Sequence, residues 1–540
     1  MFSHFLRKLA SLTARPDPSA VRAGGLVWHP LPAAADLVPL LPALLTHPSA
    51  VVVKENLQRT ILRIDLPGGA VFVKRVRANT PRAWARELLR PPKGRLEFEN
   101  AVRLRRLGVP CAEPLAWAET ASVGPGESVV VTREVAGAVP LDEYLTDALP
   151  LGERRRVATE LGRLFAAMHA AGVAHPDPHP GNFLVQRDPL RFTLLDVHAV
   201  RFGPPLTWEQ AKANLVLFNR WFQLRASRTD RLRFWTGYWG APPDQVHVFA
   251  QSVEYETAAS NRRFWAARDD RYLGTNRQFR RVKGRGVRGH AVRDLSDELV
   301  RTWLADPDAV FRSPGAVVLK DSPSSTVVLA GGVLWKRFNV KRPTDAVKNR
   351  FRRSEALRSW VFGHGLLDRH LPTARPLFVA HRHRFGLPHT GYVAFEVVPE
   401  AVELPDWVGS AGFDELRRLA GPLGRLVRTL HDRGVSHRDL KAPNVLLSGP
   451  DRRPVLIDLV GLSVHRDVPD RLRRRDLARL NAGFVHSPRV SHTLRLRVLR
   501  AYLNAWPQLR HEEWKGWWRA IAAVTAAKVR KNSRSGRPLA

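Results

Sequence analysis

The chain has 540 residues, of which 44% are hydrophobic, so it is long and apolar enough for two or three globular domains and is not intrinsically disordered. A single cysteine, Cys111, excludes intramolecular disulfides and cysteine-based zinc sites, and we expect it to be a small core residue. The missing disulfides are typical of a reducing compartment. The net charge of +36 indicates an anionic partner: nucleic acid, an anionic membrane surface or a phosphorylated glycolipid.

We expect residues 1–47 to be an N-terminal extension with a cytoplasmic start. Residues 1–14 are mildly amphipathic and lack the long apolar core of a secretory signal, so they either touch a membrane or form a frayed terminus. No stretch reaches 18 uninterrupted apolar residues, and no membrane-spanning helix is expected. The expected location is therefore cytoplasmic, with peripheral contact to the inner face of the cytoplasmic membrane as an open alternative.

Residues 48–290 form the first predicted domain. Alternating apolar residues bounded by turn residues predict three strands in its first part, at 51–54, 60–64 and 70–74. The third strand ends at Lys74. Beyond Pro110 the pattern is mainly helical; for example, Leu161, Leu164 and Met168 lie on one helical face. The sequence therefore predicts a small antiparallel sheet lobe followed by a larger helical lobe.

The second predicted domain, residues 313–525, repeats this order. Strands are predicted at 317–320, 326–329 and 333–336, and the last ends at Lys336. Residues 291–312 are predicted to be a linker. The glycine-rich and cationic segment 280–290 before it is either a basic connector or a loop that clamps phosphate. At the C-terminus, residues 514–519 belong to a helix that caps the last lobe or to a membrane interface, and residues 526–540 are predicted to be a basic tail.

Polar residues that can carry chemistry recur at a constant spacing of 262, as in 437 − 175. Such a fixed offset predicts an internal duplication. The residues of the first half are followed here by those of the second: Lys74, His175, Asp177, Asn182 and Asp196; Lys336, His437, Asp439, Asn444 and Asp458.

The repeated residue types suit phosphate transfer from ATP to a hydroxyl group. Such transfer needs positioning and neutralisation of charge. One carboxylate orients the acceptor hydroxyl and takes its proton, whereas a second carboxylate and an amide oxygen hold Mg²⁺, which prefers oxygen ligands. A lysine from the sheet lobe binds the α- and β-phosphates. We therefore expect ATP and Mg²⁺ to bind in each half.

Residues 437–444, His-Arg-Asp-Leu-Lys-Ala-Pro-Asn, closely resemble the protein-kinase catalytic loop. The resemblance implies that Asp439 is the catalytic base, that Asn444 and Asp458 bind the metal, and that Lys441 lies near the γ-phosphate. Lys336 would be the ATP-binding lysine.

The corresponding motif of the first half has a different amino-acid sequence. Residues 175–182, His-Pro-Asp-Pro-His-Pro-Gly-Asn, are similar to the aminoglycoside phosphotransferases and the UbiB atypical kinases. The resemblance gives Asp177, Asn182, Asp196 and Lys74 the roles of base, metal ligands and ATP-binding lysine. His179 takes the place of Lys441.

The glutamate partner of each lysine is predicted less directly. Glu355 is the candidate for the second half, and Glu97 or Glu99 for the first, of which Glu99 is taken as the ATP-site residue. The residue 262 positions before Glu355 is Lys93, so we expect an insertion in one half.

Several features of protein kinases are missing from the sequence. Neither half has a G-x-G-x-x-G loop, an Asp-Phe-Gly tripeptide or an evident activation segment with Ala-Pro-Glu. Their absence favours an acceptor pocket for a sugar or lipid over a groove for a peptide.

The second half resembles the bacterial lipopolysaccharide core (Kdo/heptose) kinases, in residues 320–338, 371–377, 437–444 and 475–480. The first half is similar to a divergent copy of the same family, in residues 107–110, 177–182 and 195–198. The resemblance implies an α+β fold with two tandem protein-kinase-like domains. It also implies ATP-dependent phosphorylation of a sugar hydroxyl on the lipopolysaccharide inner core or a related glycolipid.

Three other readings stay open. The acceptor could be a Ser/Thr protein or a small-molecule alcohol, and one half could be a non-catalytic regulator of the other. A nucleic-acid partner rests on charge alone, without a recognisable motif, and is not favoured.

Overall fold

The computed structural model describes residues 20–121, 126–146, 148–340, 349, 351–503 and 513–534. The contacts divide the chain into two units, residues 1–257 and 258–540. We call these the first and the second unit and describe each by itself. Among the described residues, no helix is both long and apolar enough to cross a membrane.

The first unit contains a seven-stranded antiparallel sheet with the order β1-β2-β6-β7-β5-β4-β3. Apolar and polar residues alternate along its strands, so that Leu62 and Ile64 of β4 face the core while their neighbours face outwards. The strands are β1 Val21–Ala23, β2 Leu26–Pro30, β3 Val51–Asn56, β4 Arg59–Ile64, β5 Val71–Arg77, β6 Pro114–Thr120 and β7 Glu127–Arg133.

Helices dominate the rest of the first unit, with short strand pairs around the predicted motif. The short strands are β8 Val139–Pro140, β9 Val173–Ala174, β10 Phe183–Gln186, β11 Arg191–Leu194 and β12 Arg201–Phe202. The helices are α1 Pro81–Leu89, α2 Lys93–Arg106, α3 Leu141–Tyr144, α4 Leu151–Ala170, α5 Trp208–Arg225, α6 Arg228–Trp239 and α7 Pro243–Ala266, of which α7 continues past residue 257 into the second unit. Three-residue 3₁₀ turns lie at Pro180–Asn182 and Val197–Ala199, and a longer one at Pro32–Thr46.

The second unit repeats this architecture. Its seven-stranded sheet has the equivalent order β13-β14-β18-β19-β17-β16-β15. The strands are β13 Phe279–Gly284, β14 Val287–Val292, β15 Val317–Ser322, β16 Ser325–Ala330, β17 Val333–Phe338, β18 Pro376–Arg384, β19 Leu387–Glu396, β20 Val402–Glu403, β21 Val435–His437, β22 Val445–Ser448, β23 Arg453–Leu456 and β24 Leu462–Val464. The helices are α8 Asp297–Ala305, α9 Ala309–Arg312, α10 Glu355–Asp368, α11 Leu404–Ser410, α12 Phe413–Asp432, α13 Asp470–Ala482, α14 His492–Leu503 and α15 Glu513–Arg534. The 3₁₀ turns are Asp269–Leu273, Ala442–Asn444 and Leu459–Gly461.

The helical lobes are built around an amphipathic helix that precedes the motif. In α4, the predicted face with Leu161, Phe165 and Met168 is buried, as is the matching face of α12. Glycine permits a close helix contact in both lobes. A Cβ on Gly162 would lie 2.1 Å from the carbonyl oxygen of Phe234, and a Cβ on Gly424 would lie 2.3 Å from that of Val498. The amphipathic helix thereby packs closely against α6 in the first unit and against α14 in the second. Cys111 is buried, as expected.

The predicted domain boundaries at residues 47, 290 and 312 differ from the observed division. Strands β1 and β2 and the turn Pro32–Thr46 pack on the first sheet, so residues 21–46 are part of that unit and not an extension. Segment 280–290 forms the hairpin of β13 and β14, which joins the second sheet by pairing β14 with β18. The predicted linker contains α8, which packs on this hairpin. Segments 280–290 and 291–312 therefore belong to the second unit and are not linkers, and phosphate binding by 280–290 stays a prediction.

The C-terminal prediction is partly confirmed. Residues 514–519 lie in α15, which packs on α13 with Trp517 buried, and this is the predicted capping helix. The same helix continues to Arg534, so residues 526–534 are helical and not a tail. The predicted amphipathic start at residues 1–14 lies outside the described residues.

Candidate active sites

The loop around Asp439 in the second unit is held by hydrogen bonds between chain neighbours. The backbone N–H of Asp439 donates to Nδ1 of buried His437 over 3.2 Å, and Nδ2 of Asn444 donates to the carbonyl oxygen of Asp439 over 2.8 Å. Because the amide nitrogen of Asn444 is used in this way, its Oδ1 is left as an acceptor. The loop thus presents a carboxylate and an amide oxygen from fixed backbone.

The loop around Asp177 in the first unit has the same bonds. The N–H of Asp177 donates to Nδ1 of His175 over 3.2 Å, and Nδ2 of Asn182 donates to the carbonyl oxygen of Asp177 over 2.9 Å. The motif spacing therefore encodes the same local structure twice.

A second carboxylate follows each loop and meets the lysine of the sheet lobe. Asp196 and Asp458 adopt left-handed backbone conformations, with φ of 54° and 56°. Nζ of Lys74 lies 2.7 Å from Oδ1 of Asp196, and Nζ of Lys336 lies 2.7 Å from Oδ1 of Asp458. The structure brings both predicted pairs together across 122 residues of chain.

The glutamate partner of Lys74 is Glu97 and not Glu99. Nζ of Lys74 lies 2.5 Å from Oε2 of Glu97, which is buried. Glu99 instead forms an exposed ion pair with Arg95, one turn away on the same helix. Two residues along an α-helix turn the side chain by about 200°, so only one of the two glutamates can face the sheet.

The expected insertion between the halves is also wrong. Helices α2 and α10 keep the offset of 262 at both ends, 355 − 93 and 368 − 106. Glu355 therefore occupies the position of Lys93, and the position of Glu97 holds Ser359. In the second unit the carboxylate has moved one turn towards the start of the helix, about 6 Å along its axis. Lys336 and Glu355 form no ion pair within the described part of the chain, although both line the same cleft.

The carboxylates of Asp196 and Asp458 differ in their surroundings. Burial would raise the pKa of Asp196, but a hydrogen bond from His198 and the charge of Lys74 lower it far below its usual range. Nδ1 of His198 lies 2.8 Å from Oδ1 of Asp196, and Nη2 of Arg59 lies 3.5 Å from its Oδ2. Glu97, Asp196 and His198 offer ligand atoms within 4.8 Å of one another, but Nζ of Lys74 already contacts both carboxylates.

Asp458 carries fewer partners. Burial would raise its pKa, and the charge and hydrogen bond of Lys336 outweigh this and lower the pKa. Among the described residues, Lys336 provides its hydrogen bond. The carboxylate thus stays ionised and has acceptor capacity left.

A polar residue behind each catalytic loop was not predicted. The buried carboxylate of Asp476 accepts a hydrogen bond of 2.6 Å from the backbone N–H of His437. In the first unit the equivalent residue is Asn214, whose Nδ2 donates to the carbonyl oxygen of His175 over 2.6 Å. Asp476 lies in segment 475–480, which carried the family resemblance, but its contact with the loop is tertiary.

A cleft of about 520 Å³ in the second unit joins these groups. Four of the predicted residues line it, namely Lys336, Glu355, Asp439 and Asp458. Further cationic side chains also line it: Lys320, Arg438, Arg475, Arg479 and Lys528. Of these, Arg479 contacts Oδ1 of Asp439 through Nη2 over 2.7 Å and through Nε over 3.2 Å.

The structure does not place Lys441 or His179 with the other predicted site residues. Lys441 does not line the described cleft. Its charge acts on Glu403: burial raises the pKa of Glu403, and the charges of Lys320 and Lys441 offset part of that rise. Nδ1 of His179 accepts a hydrogen bond from the N–H of Gly181 over 3.0 Å and caps the turn Pro180–Asn182. A γ-phosphate role for Lys441 therefore stays a prediction.

A family model described as "Lipopolysaccharide kinase (Kdo/WaaP) family" matches the chain twice, over residues 62–238 and 322–523. The matches lie one in each unit and together span more than half of the chain. This confirms the prediction of two tandem protein-kinase-like domains. No curated protein matches the chain with significant similarity.

Two solved structures are similar to parts of the chain. One is WaaP in complex with acyl carrier protein, with 22% identity, coverage of 38% of this chain and 88% of that chain, and a TM-score of 0.30. The other is Rad53 1-466 in complex with AMP-PNP, with 16% identity, coverage of 38% and 57%, and a TM-score of 0.26. Both TM-scores are low, so the sequence match to the family carries the assignment.

Proposed function

The chain belongs to the lipopolysaccharide kinase (Kdo/WaaP) family and is a kinase, and from this we propose that it transfers the γ-phosphate of ATP to a sugar hydroxyl of the lipopolysaccharide inner core or a related glycolipid. The observation that carries the proposal is the cleft of the second unit. There Asp439, the Lys336–Asp458 pair and Glu355 line one cavity.

We assign a separate role in phosphate transfer to each residue of this cleft. Asp439 accepts the proton of the acceptor hydroxyl as the hydroxyl oxygen bonds to the γ-phosphorus and the bond to the bridging oxygen of ADP breaks. Lys336, on the rigid strand β17, binds the α- and β-phosphates when the nucleotide enters. In the free protein, Asp458 holds this lysine in the cleft.

Asn444 and Asp458 are the residues that would hold Mg²⁺. The donor set fits, because one offers an amide oxygen whose nitrogen is already hydrogen-bonded and the other offers a carboxylate whose pKa is lowered. When bound, the ion neutralises charge on the phosphates.

A sugar acceptor agrees with the short chain after Asp458. The turn Leu459–Gly461 and strand β24 lead to α13 at Asp470, so the described chain has no room for a long activation segment. We therefore place a compact acceptor, and not an extended peptide, against Asp439.

Transfer of radiolabel from [γ-³²P]ATP tests this function. Purified full-length protein with MgCl₂ should label an inner-core acceptor that contains Kdo and heptose, and the double variant Asp177→Asn/Asp439→Asn should not. A neutral monosaccharide and a generic Ser/Thr protein substrate serve as competing acceptors. Label in the protein substrate alone, or full activity of the double variant, would contradict the proposal.

A second candidate function is favoured for the first unit. Asp196 is engaged by Lys74, His198 and Arg59, and Lys74 is also held by Glu97. These contacts compete with phosphate and metal, so we propose that the first unit is a regulatory partner with weak or no turnover. Fluorescent ATP binding by Lys74→Met and Lys336→Met variants tests this. The first should bind like the wild type and the second should lose most of its binding; equal losses would show two working clefts.

We also propose that the protein works at the inner face of the cytoplasmic membrane, where a glycolipid acceptor is embedded. The net charge of +36 supports this, since each Lys or Arg near an anionic lipid surface contributes about 1 kcal/mol. Flotation with phosphatidylglycerol vesicles should recover the protein, and recovery should fall with salt. Equal recovery with neutral phosphatidylcholine vesicles would contradict the proposal.

A further inference from the structure

The cationic side chains of the second cleft come from two different places. Lys320 and Lys336 belong to the sheet lobe, where the nucleotide phosphates are expected. Another set lies in the helical lobe: Arg438 in the catalytic loop, Arg475 and Arg479 on α13, and Lys528 on α15. Because the base Asp439 also belongs to the helical lobe, this second set lies on the acceptor side of the cleft.

Arg475 and Arg479 are spaced i and i+4, which places both on the same face of α13. This face of α13 is held next to the loop by two hydrogen bonds. Arg475 donates to the buried carboxylate of Asp476 over 2.7 Å, and the same carboxylate accepts from the backbone N–H of His437. The two guanidinium groups are therefore held beside the catalytic loop and are not a freely solvated charged surface.

Arg479 contacts the base directly, yet part of the guanidinium is left over. Its Nε and Nη2 donate to Oδ1 of Asp439. The remaining N–H donors of the guanidinium are not used by Asp439. A planar guanidinium can bind a carboxylate or a phosphate through two parallel hydrogen bonds. Because Arg479 and Asp439 are in direct contact, an anionic group bound to Arg479 would lie beside an acceptor hydroxyl bound to Asp439.

The first unit provides an internal comparison. Asn214 and Asn219 correspond in contacts to Asp476 and Asn481, which fixes the register of α5 against α13. In that register the positions of Arg438, Arg475 and Arg479 are occupied by uncharged residues: Pro176, Ala213 and Leu217. Arg220, further along α5, has a charge that acts on Asp177. The lysine, base and metal residues are thus duplicated in register, whereas Arg438, Arg475 and Arg479 have no cationic counterpart at the equivalent positions.

The first unit builds the same loop and lysine–carboxylate geometry without these arginines, so they are not needed to hold that geometry. In the second cleft they line the side on which the acceptor would bind, and this location favours a role in acceptor recognition. We propose that Arg479, supported by Arg475, is a specificity-determining residue that binds an anionic group, a carboxylate or a phosphate, on the sugar next to the hydroxyl that is phosphorylated. The inference rests on the proposed phosphate transfer by the second unit.

Matched acceptor pairs test the inference in the full-length protein. One pair is a Kdo methyl glycoside and its methyl ester, which lacks only the carboxylate charge; the other is a heptose phosphate and the corresponding heptose. The wild type should prefer the charged member of one pair by at least tenfold in kcat/KM, and that pair identifies the anionic group. Arg479→Gln should raise the KM for this charged acceptor at least tenfold and should abolish the preference for the charged over the neutral member in kcat/KM.

Two control variants define the interpretation. Arg479→Lys keeps the charge and should recover part of the preference, and Arg471→Gln, on the exposed side of the same helix, should behave like the wild type. If the wild type does not distinguish the members of either pair, the inference is wrong. It is equally wrong if Arg479→Gln lowers kcat/KM for charged and neutral acceptors by the same factor, since Arg479 would then only hold Asp439 in place.

A failure of the proposed function gives a different result. In that case no sugar is phosphorylated, and equilibrium binding of the same acceptors with AMP-PNP present decides about the subsite. Weaker binding of the charged acceptor by Arg479→Gln supports the subsite, and equal binding by the variant and the wild type overturns it.

Discussion

Removing the sheet-lobe lysine should destabilise the two units by different amounts. In the first unit, the side chain of Lys74 is 12% exposed and contacts Glu97, at 11%, and Asp196, at 25%. In the second unit, Lys336 is 19% exposed and contacts Asp458, whose side chain is 37% exposed. Lys74→Ala therefore leaves a buried carboxylate without its partner, whereas Lys336→Ala leaves one that water can reach.

The magnitudes follow from these exposures. Breaking a buried ion pair from one side costs about 3–5 kcal/mol. Because His198 and Arg59 still accompany Asp196, we expect Lys74→Ala to cost about 3 kcal/mol, the lower end of that range. The Lys336–Asp458 pair is less buried, at 19% and 37% exposure, and a pair at the surface contributes about 0–1 kcal/mol, so Lys336→Ala should cost about 1 kcal/mol.

Hydrogen exchange measured by mass spectrometry resolves both sites in one protein. Peptides covering β4 and β5 in Lys74→Ala should exchange roughly a hundredfold faster than in the wild type, and peptides covering β16 and β17 in Lys336→Ala no more than about fivefold faster. Lys54→Ala, an exposed change on β3, is the control and should alter neither region. Equal acceleration in the two variants, or greater acceleration in Lys336→Ala, would refute the view that Lys74 is locked between two carboxylates.

Two further predictions concern the second unit. Burial lowers the pKa of His290 to about 4, of His364 to about 3 and of His381 to about 4. The folded pKa values lie below the unfolded value near 6.5, so stability is complete above about pH 6.5 and falls towards pH 4, by up to about 1.4 kcal/mol per pH unit for each histidine. Urea unfolding of the wild type and His364→Phe between pH 7.5 and 4.5 should show a shallower loss in the variant, and identical slopes would contradict the assignment. Asp476→Asn introduces the residue type that the first unit has at Asn214 and removes charge-assisted hydrogen bonds to His437 and Arg475. The free energy of unfolding in urea should fall by roughly 1.5–3 kcal/mol, and kcat should fall as well. Unchanged stability and unchanged kcat would show that the carboxylate is not needed.

The catalytic loops could be predicted from the sequence because their geometry is local. The hydrogen bonds from Asp439 to His437 and from Asn444 to Asp439 join residues two and five positions apart, so the motif spacing alone determines them. The three predicted strands of each sheet lobe were also found, each somewhat longer than expected, because alternation and turn residues are local as well.

Features that depend on distant pairing could not be predicted. Strand β2 pairs with β6 and β14 with β18, each about 90 residues away, so hairpins β1–β2 and β13–β14 looked like an extension and a connector. The choice between Glu97 and Glu99 depends on which side of α2 packs on the sheet. The contact between Arg479 and Asp439 joins residues 40 positions apart and needs the packing of α13 beneath the loop.

Single substitutions of Asp439 and Asp177, the two proposed bases, test most directly whether the second cleft transfers phosphate. A general base contributes about 10²–10⁴-fold to the rate, so Asp439→Asn should lower labelled phosphate transfer to the inner-core acceptor by at least about a hundredfold. Asp177→Asn should leave most of the transfer intact. Transfer that survives Asp439→Asn, or that is lost in Asp177→Asn alone, would contradict the account.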